Sequence, residues 1–379
     1  MRKIKSITAL ALIASMCGSL VAFGGETEAS ESVSGKVGIS MPTKELERWN
    51  KDASQMEQGL EDLGIDVEVT FSNNDINKQV NDIQTLIGDG VDVLIIAAID
   101  GDSLANVLKD AEDNDIPVIA YDRLIMNTDA VTYYTTCDNF WIGQMQGEYL
   151  KEALDLDNAG DKTFNIEIMA GDPADSNAPI YYSAGLEVLQ PYIDAGTVNI
   201  LSGQTSFDQT ATVGWDTTNA LKRMENILGS FYSDGTVLDA VLCSNDSLAR
   251  GVTQAIDDNY WNASKQFPLI TGQDADEANL RNIIDGKQAM TVFPVVPNEV
   301  MTTVGVAKAI LEGKTPDASL VDEYDFEVSY DDTNYNNGVK TLPSFCNVPV
   351  VVTKDTIQKE LIDTGFYKEG DDGYPVSAE

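Results

Sequence analysis

The chain of 379 residues contains no histidine. This absence removes the side chain that most often acts as a general base or as a metal ligand. Cysteine is also scarce, with four residues in the whole chain. Cys137, Cys243 and Cys346 are widely spaced and odd in number, which argues against a disulfide framework or a zinc site. Cys137 and Cys243 end apolar segments, so we expect them to be small buried side chains.

Basic residues are few compared with acidic ones. The chain has 24 lysines and arginines against 62 aspartates and glutamates, a net charge of −38. Without residues 1–22, which hold three basic residues and no acidic one, the net charge is −41. A surface of this sign repels nucleic acid and anionic lipid, so we expect neither as a partner. The same charge favours solubility outside the cell and by itself identifies no partner.

Long apolar runs are missing beyond the N-terminus. There, Arg2, Lys3 and Lys5 precede an apolar stretch from Ile7 to Phe23. A positively charged start followed by a short apolar core is typical of a secretory signal. An apolar core of this length is too short to span a membrane. We therefore expect residues 1–30 to be a signal peptide and tether, and the mature protein to be exported, soluble and without a membrane span.

The end of this leader leaves the mode of release open. Residues 20–25 resemble a bacterial lipoprotein box, but Phe23 stands where the cysteine that carries the lipid should be. Cys17 lies upstream, in a segment that matches the lipoprotein box poorly. Two outcomes fit the sequence: a lipid anchor on Cys17, or release after cleavage near Ala22 or Ala29.

After the leader, apolar segments alternate with helical patterns. Trp49, Ala53, Met56 and Leu60, for example, have helical spacing. The strand candidates are KVGIS, IDVEVTF, VDVLIIAA, IPVIAYD and AVTYYTTC, followed by FNIEIMAG, TVNILSG, LDAVLC, FPLITG and QAMTVF. Fully apolar strands are typical of a parallel sheet that is covered on both faces. Two successive series predict an α/β fold with two doubly wound, Rossmann-like parallel sheets.

A later helix, predicted over 298–312, has no second full sheet to join and should pack on the first domain. The chain would then cross between domains near residues 138, 294 and 343. Three such crossings form a hinge that permits closure around a ligand. The predicted lobes are 31–138 with 295–342, and 139–294 with 343–379, and we expect the acidic tail from Lys368 onward to be frayed.

Polar side chains stand just after several predicted strands. Asp122 and Arg123 follow IPVIAY, Asn245 follows LDAVLCS, and Asp274 follows FPLITGQ. Ligands of open parallel sheets bind beyond these carboxyl ends. Carboxylates accept hydrogen bonds, guanidinium groups donate them and a carboxamide does both, which suits a small uncharged ligand rich in hydroxyl groups. The structural alternatives are an ion pair for Asp122 with Arg123 and helix N-caps for Asn245 and Asp274.

Two tryptophans stand at similar junctions. Trp49 follows Arg48 at the start of the first predicted helix, and Trp215 precedes Asp216, a candidate N-cap. An indole can stack on the apolar face of a pyranose ring, and Arg48 can donate to its oxygens. Trp49 is equally compatible with a core position, and Trp215 with a hydrophobic staple.

The segment GDPADSNA brings Asp175 and Asn177 to another strand-to-helix junction. An Asx turn that caps the helix is the structural alternative for each of them. Asp122 with Asp274 could be imagined as the acid pair of a glycoside hydrolase. Arg123 would keep Asp122 ionised, so we expect a binding protein and no enzyme.

Several stretches taken together resemble bacterial periplasmic sugar-binding proteins, the substrate-binding subunits of ABC transporters. These stretches are KVGISMPTKELERW, IPVIAYDRL, AGDPADSNA, QTATVGWDTTNA, LCSNDSLARG, TGQDADEANL and NGVKTLPSF. The resemblance covers about Lys36 to Gly365. It is strongest to the multiple-sugar and xylose-binding branch and more distant to galactose- and glucose-binding proteins.

The resemblance implies a type I periplasmic binding protein fold. It implies a monomer that closes on an aldopentose or aldohexose pyranose, needs no cofactor or metal, and delivers the sugar to a membrane permease. A sensor that presents its ligand-bound form to a chemoreceptor or histidine kinase is the alternative.

The resemblance also implies roles for individual residues. Trp49 and Trp215 would enclose the sugar ring. Its hydroxyl groups would be bound by Arg48, Asp122 and Arg123 from the first lobe and by Asp175, Asn177, Asn245 and Asp274 from the second. The segment Asn336 to Pro343 resembles a hinge crossing. The chain departs from the family pattern at Pro294, where relatives often carry a polar ligand.

Overall fold

The computed structural model describes residues 33–260 and 266–378. The predicted leader, with Cys17, Ala22 and Ala29, lies outside the described residues. From Val33 onward the chain forms one compact unit. Within the described ranges, none of the helices combines the length and the apolar character that a membrane crossing requires.

Strands and helices alternate along most of the described chain. The strands are β1 (Lys36–Met41), β2 (Asp66–Phe71), β3 (Val93–Ile96), β4 (Val118–Tyr121), β5 (Val131–Cys137), β6 (Phe164–Met169), β7 (Val198–Asn199), β8 (Ala240–Cys243), β9 (Leu269–Ile270), β10 (Met290–Phe293), β11 (Val328–Asp331), β12 (Ser344–Asn347), β13 (Val350–Thr353), β14 (Tyr367–Glu369) and β15 (Pro375–Ser377). The helices are α1 (Glu47–Glu61), α2 (Ile76–Gly88), α3 (Ala105–Asp113), α4 (Asn139–Ala153), α5 (Ala178–Asp194), α6 (Phe207–Thr210), α7 (Thr217–Phe231), α8 (Asp246–Asn259), α9 (Glu277–Ile284) and α10 (Val296–Leu311).

The first sheet has the order β11-β12-β5-β4-β3-β1-β2 and is parallel except for β11. Alternate residues of its central strands enter two different cores. In β3, Val93 and Ile95 pack on one face, whereas Leu94 and Ile96 pack on the other. This explains the continuous apolar runs in the sequence, because a strand covered on both faces has no side for polar residues.

The second sheet has the parallel order β7-β6-β8-β9. A parallel bridge between Gln273 and Val292 continues it into the antiparallel pair β10–β13. Cys243 on β8 is fully buried, and so is Cys137 on β5, as predicted. The predicted type I periplasmic binding protein fold, with two doubly wound sheets, is therefore confirmed; we call the parts around the two sheets the first and second lobe.

Within the described residues, the chain crosses between the lobes at three places. The first crossing follows Cys137, and the second follows Phe293, close to the predicted positions. The third follows Asn347, because β12 pairs with β5 in the first sheet and β13 pairs with β10. This crossing lies later in the chain than the predicted boundary between residues 342 and 343.

The segment Asn336 to Pro343, predicted as a hinge crossing, lies within the first lobe. The carbonyl of Asn337 accepts from the Asn127 amide at 2.7 Å, and its side chain donates to Thr128 at 2.7 Å. The Tyr134 amide donates to the Pro343 carbonyl at 3.1 Å. These long-range bonds join the segment to the end of the first sheet.

The predicted helix over 298–312 is α10, and it packs on the first lobe as expected. Val300 and Val306 share one core with Met56 and Leu60 of α1. The tail, predicted to be frayed, instead forms the antiparallel hairpin β14–β15. Local composition could not indicate this, since each strand of the hairpin has only three residues.

Candidate ligand-binding cleft

A cleft lies where the carboxyl ends of the two sheets meet. The space among its side chains, including the part that is open to solvent, measures about 410 Å³. Eight of the nine predicted site residues line it, namely Arg48, Trp49, Asp122, Arg123, Asp175, Trp215, Asn245 and Asp274. The other lining residues are Leu46, Glu47, Tyr181, Ser247, Gln273 and Asp276.

Three of these residues have a left-handed backbone. The φ angles are 59° at Asp122, 54° at Trp215 and 105° at Asp274. Such conformations cost about 1–3 kcal/mol at a residue other than glycine and are found mostly at functional sites. Here each of them directs a side chain toward the cleft from the end of a strand or the entrance of a helix.

Arg48, in the first turn of α1, is the centre of the charged cluster in the cleft. Its Nη2 lies 2.8 Å from the Asp122 carboxylate and 3.3 Å from that of Glu299, and its Nε lies 3.1 Å from Asp52. Its Nη1 lies 3.8 Å from Asp274 in the opposite lobe. A fixed guanidinium group of this kind presents donors in known directions to the cleft.

Burial changes the protonation of this cluster. It raises the pKa of Asp274 to about 8 and that of Glu299 well above its ordinary value, although Arg48 lowers both. It raises the pKa of Asp52 to about 6, against the lowering effects of Arg48 and of the Tyr121 hydroxyl. Burial lowers the pKa of Arg48, but Asp122 and Asp52 outweigh that effect and raise it well above its usual value. The raised pKa favours the protonated form of Asp274, which can donate as well as accept.

Two further polar contacts join the lobes across the cleft. Arg123 of the first lobe lies 2.8 Å from the Asp175 carboxylate of the second. The side-chain amide of Asn177 donates to the backbone carbonyl of Asp122 at 2.9 Å. Asn177, the ninth predicted residue, is thus placed between the lobes at the edge of the cleft and outside its lining.

The two predicted tryptophans both line the cleft, one from each lobe. Trp49 packs against the guanidinium groups of Arg48 and Arg123, 4.7 and 5.0 Å from its ring. Trp215 donates from Nε1 to Asp175 at 3.1 Å. Its ring also covers Gly171 so closely that a Cβ there would lie 2.0 Å from it. Both indoles are therefore held in fixed orientations.

Asn245 combines its predicted binding position with its structural alternative. Its side-chain oxygen caps α8 by accepting from the Leu248 amide at 3.0 Å. Its side-chain nitrogen donates to Asp274 at 3.3 Å. The cap thus fixes the carboxamide at the lining of the cleft. Pro294 is buried at the second crossing and is not part of the cleft lining.

Sequence reasoning missed the acids behind Arg48. Asp52 follows Arg48 by four residues in α1, a spacing that could have indicated an ion pair. Glu299 lies in the apolar sequence of α10 and contacts Arg48 from 251 positions away, so no local signal announces it. Tyr181 and Gln273 stand beside predicted residues, and the hydroxyl of Tyr181 donates to Asn139 at 2.8 Å.

The arrangement offers donors, acceptors and flat apolar faces in one enclosed space. Guanidinium groups from one lobe stand opposite carboxyl and carboxamide groups from the other. This pattern suits a small ligand with several hydroxyl groups and one apolar face.

Known proteins are similar to this chain over most of its length. Residues 37–315 match the model of the periplasmic binding protein domain family. The chain is 37% identical over 369 residues to the multiple sugar-binding periplasmic receptor ChvE of Rhizobium radiobacter, covering 97% of this chain and 99% of the relative. It is 33% identical over 369 residues to the D-xylose-binding periplasmic protein of Escherichia coli, with the same coverage.

A solved structure shows the same fold with a sugar bound. It is an ABC transporter solute-binding protein of Clostridium phytofermentans with bound β-D-glucose. The identity is 44% and the TM-score 0.82, over 88% of this chain and 98% of that one.

Proposed function

The chain belongs to the periplasmic binding protein family, and on this premise we propose that it is an extracytoplasmic receptor for a monosaccharide. The ligand is an aldopentose or aldohexose in its pyranose form. The lobes close on it about the three crossings, and the receptor delivers it to the permease of an ABC transporter. The protein acts as a monomer outside the cytoplasmic membrane.

One observation carries the proposal more than any other. Two tryptophans from opposite lobes line the same cleft as two guanidinium groups and five carboxyl groups. Indole faces suit the C–H surface of a pyranose ring, and the charged groups suit its hydroxyl groups. The excess of carboxyl groups over guanidinium groups in the lining disfavours an anionic ligand, and each guanidinium already faces a carboxylate.

The proposed contacts to the sugar come from both lobes. Arg48, Asp122 and Arg123 bind hydroxyl groups from the first lobe, and Asp175, Asn245 and Asp274 bind them from the second. Trp49 and Trp215 contact the ring. Asn177 acts at the edge of the cleft through its bond to the Asp122 carbonyl.

The expected affinity is consistent with this set of contacts. A dissociation constant in the micromolar range corresponds to about −8 kcal/mol. Hydrogen bonds to charged groups contribute roughly 1.5–3 kcal/mol each, and ring stacking adds to them. A few such bonds therefore suffice for micromolar binding, after the entropy cost of fixing the ligand and closing the lobes.

The first candidates are D-glucose and D-xylose. The first is bound in the related solute-binding protein, and the second appears in the name of the Escherichia coli relative. The two sugars share the ring and its ring hydroxyl groups, and they differ in the hydroxymethyl group of glucose. A cleft that tolerates this difference would bind both.

The test is a thermal-shift screen against monosaccharides, disaccharides and amino acids, followed by calorimetry. A ligand that binds the native state raises the melting temperature by mass action. We expect shifts with one or a few monosaccharides. A shift only with disaccharides or amino acids would contradict the proposed ligand class.

The second candidate function is sensing, because one relative is a multiple sugar-binding periplasmic receptor. In that case the closed, sugar-bound form contacts a chemoreceptor or a histidine kinase. Deletion of the gene in the host separates the two functions. Loss of uptake of labelled sugar identifies transport, whereas normal uptake with a lost response to the sugar identifies sensing.

Attachment to the membrane is a separate part of the proposal. Export either releases the protein or leaves it held by a lipid on Cys17. Metabolic labelling with a radioactive fatty acid distinguishes the two, with Cys17→Ser as the control that removes the thiol.

A further inference from the structure

The C-terminal hairpin β14–β15 packs against helix α9 beside the cleft. The amide of Ser377 donates to the Glu277 carboxylate at 2.8 Å, and Arg281 pairs with Asp372 at 2.5 Å. The hydroxyl of Tyr374 donates to Asp285 at 2.8 Å. Ser377 pairs with Tyr367 across the hairpin and fixes this end on the second lobe, whereas Tyr374 lies in the exposed turn at the other end.

The side chain of Tyr367, at the start of the hairpin, is buried against the turn that follows Gln273. Its hydroxyl donates to the backbone carbonyl of Ala275 at 2.7 Å. Its ring packs edge-on against Phe293, with centroids 5.9 Å apart. Burial raises the pKa of Tyr367 well above its ordinary value, so the hydroxyl keeps its proton and remains a donor.

The turn that Tyr367 contacts carries two of the acids in the cleft, Asp274 and Asp276. Two successive residues of this turn have a left-handed backbone, with φ of 105° at Asp274 and 57° at Ala275. Neither is a glycine, so the turn is strained and must be held by its surroundings. Its amides are bonded from one side, Asp274 to Val292 at 2.9 Å and Asp276 to the Asp246 carboxylate at 3.0 Å.

We infer that Tyr367 is a positioning residue for the cleft: its hydroxyl holds the 274–276 turn so that Asp274 and Asp276 keep their places. The inference rests on the proposed function, because it assigns these acids to the sugar site. Tyr367 itself does not line the cleft and touches no ligand. It acts through the carbonyl of Ala275.

A contact with the first lobe adds to this role. The ammonium group of Lys51, on α1, lies 5.1 Å from the centre of the Tyr367 ring. Lys51 also pairs with Glu47 at 2.7 Å and lies 3.9 Å from Glu277 of the second lobe. The ring therefore supports the turn on one side and meets the opposite lobe on the other.

The test compares two tyrosines of the same hairpin. Tyr367→Phe removes the hydroxyl and keeps the ring with its contacts to Phe293 and Lys51. Tyr374→Phe is the matched control, because it removes a hydroxyl that bonds to Asp285, an exposed residue outside the cleft lining. Both proteins are prepared as the full exported chain, without sugar and with D-glucose.

The first measurement is hydrogen exchange of the amides of Asp274, Ala275 and Asp276 without sugar. We expect Tyr367→Phe to raise their exchange rates about five-fold, the effect of one neutral hydrogen bond, while Tyr374→Phe leaves them unchanged. Unchanged rates in Tyr367→Phe, or equal increases in both variants, would overturn the inference. This measurement needs no ligand, so it decides the inference even if the wild type binds no monosaccharide and the proposed function fails.

The second measurement is the affinity for D-glucose by calorimetry. We expect Tyr367→Phe to weaken it about five-fold and Tyr374→Phe to leave it within about two-fold. In the Asp274→Asn background the effect of Tyr367→Phe should largely disappear, since the two residues act through one turn. Fully additive losses in the double variant would show that Tyr367 does not act through Asp274.

Discussion

The guanidinium group of Arg48 and the carboxyl group of Glu299 lie 3.3 Å apart, and both side chains are buried. Glu299 reaches Arg48 from α10, immediately after the second crossing between the lobes. It therefore holds a central group of the cleft from behind, in the same lobe. The protonation of this acid decides how it acts.

Glu299→Gln should retain the stability of the fold and sugar affinity within about two-fold. Burial raises the pKa of Glu299 well above its ordinary value, which favours the neutral carboxyl group that glutamine imitates. Glu299→Ala should lower both, because it opens a cavity beside Arg48. Denaturant unfolding and calorimetry check this, and a large loss in Glu299→Gln would mean that the group works as an anion.

The stability of the wild type should fall as the pH rises from about 4 to 8. Burial raises the pKa of Asp274 from its usual 3.8 to about 8, so the folded state binds this proton more tightly than the unfolded chain. The stabilisation is complete below the unfolded pKa and is lost as the pH passes the folded one. Asp274→Asn should be less dependent on pH in this window. Urea unfolding at several pH values measures it, and identical slopes for both proteins would refute the prediction.

Trp215→Ala should weaken sugar binding ten-fold or more while the protein still folds. The indole offers an apolar face that is fixed by Gly171 and by its bond to Asp175. Trp141→Ala is the matched control, since Trp141 is 47% exposed on α4 and outside the cleft lining. Equal affinities of the two variants in calorimetry would remove Trp215 from the site.

Asp122→Asn should also weaken sugar binding at least ten-fold. Asparagine tolerates the φ of 59° at this position, so the change removes the charge beside Arg48 with little added strain. Asp122→Ala should have the same effect on binding with an additional loss of stability. Wild-type affinity in Asp122→Asn would show that the carboxylate is not a ligand group.

The wild type should release no product from aryl glycosides. Asp122 and Asp274, the imagined acid pair, both lie against the guanidinium group of Arg48, at 2.8 and 3.8 Å. A cation between two acids favours binding through hydrogen bonds over attack on a glycosidic bond. Chromogenic release that disappears in Asp122→Asn would establish an enzyme instead.

Much of the fold could be predicted because its signals are local. The strands of parallel sheets are apolar on both faces, so β3 and β4 appear in the sequence as uninterrupted hydrophobic runs. The spacing of Trp49, Ala53, Met56 and Leu60 likewise identifies the buried side of α1. The residues after strands could be proposed as a site because parallel strands end at one edge.

Other features depend on contacts between distant parts of the chain. The segment Asn336 to Pro343 belongs to the first lobe only because Asn337 bonds to Thr128, 209 positions away. Glu299 shows no local sign of its partner, since a single acid in an apolar helix usually faces solvent. Tyr367 gains its role from a carbonyl 92 positions earlier.

The pairing of β12 with β5 has a consequence for the order in which the protein can fold. The first lobe contains the first five strands of the described residues, yet its sheet is completed only by residues 344–347. Until these are made, β5 presents an unpaired edge that could bind another chain. The second lobe is completed only by β13, which pairs with β10 and begins three residues after β12 ends. Neither half can therefore complete its sheet before residues 344–353 have been made.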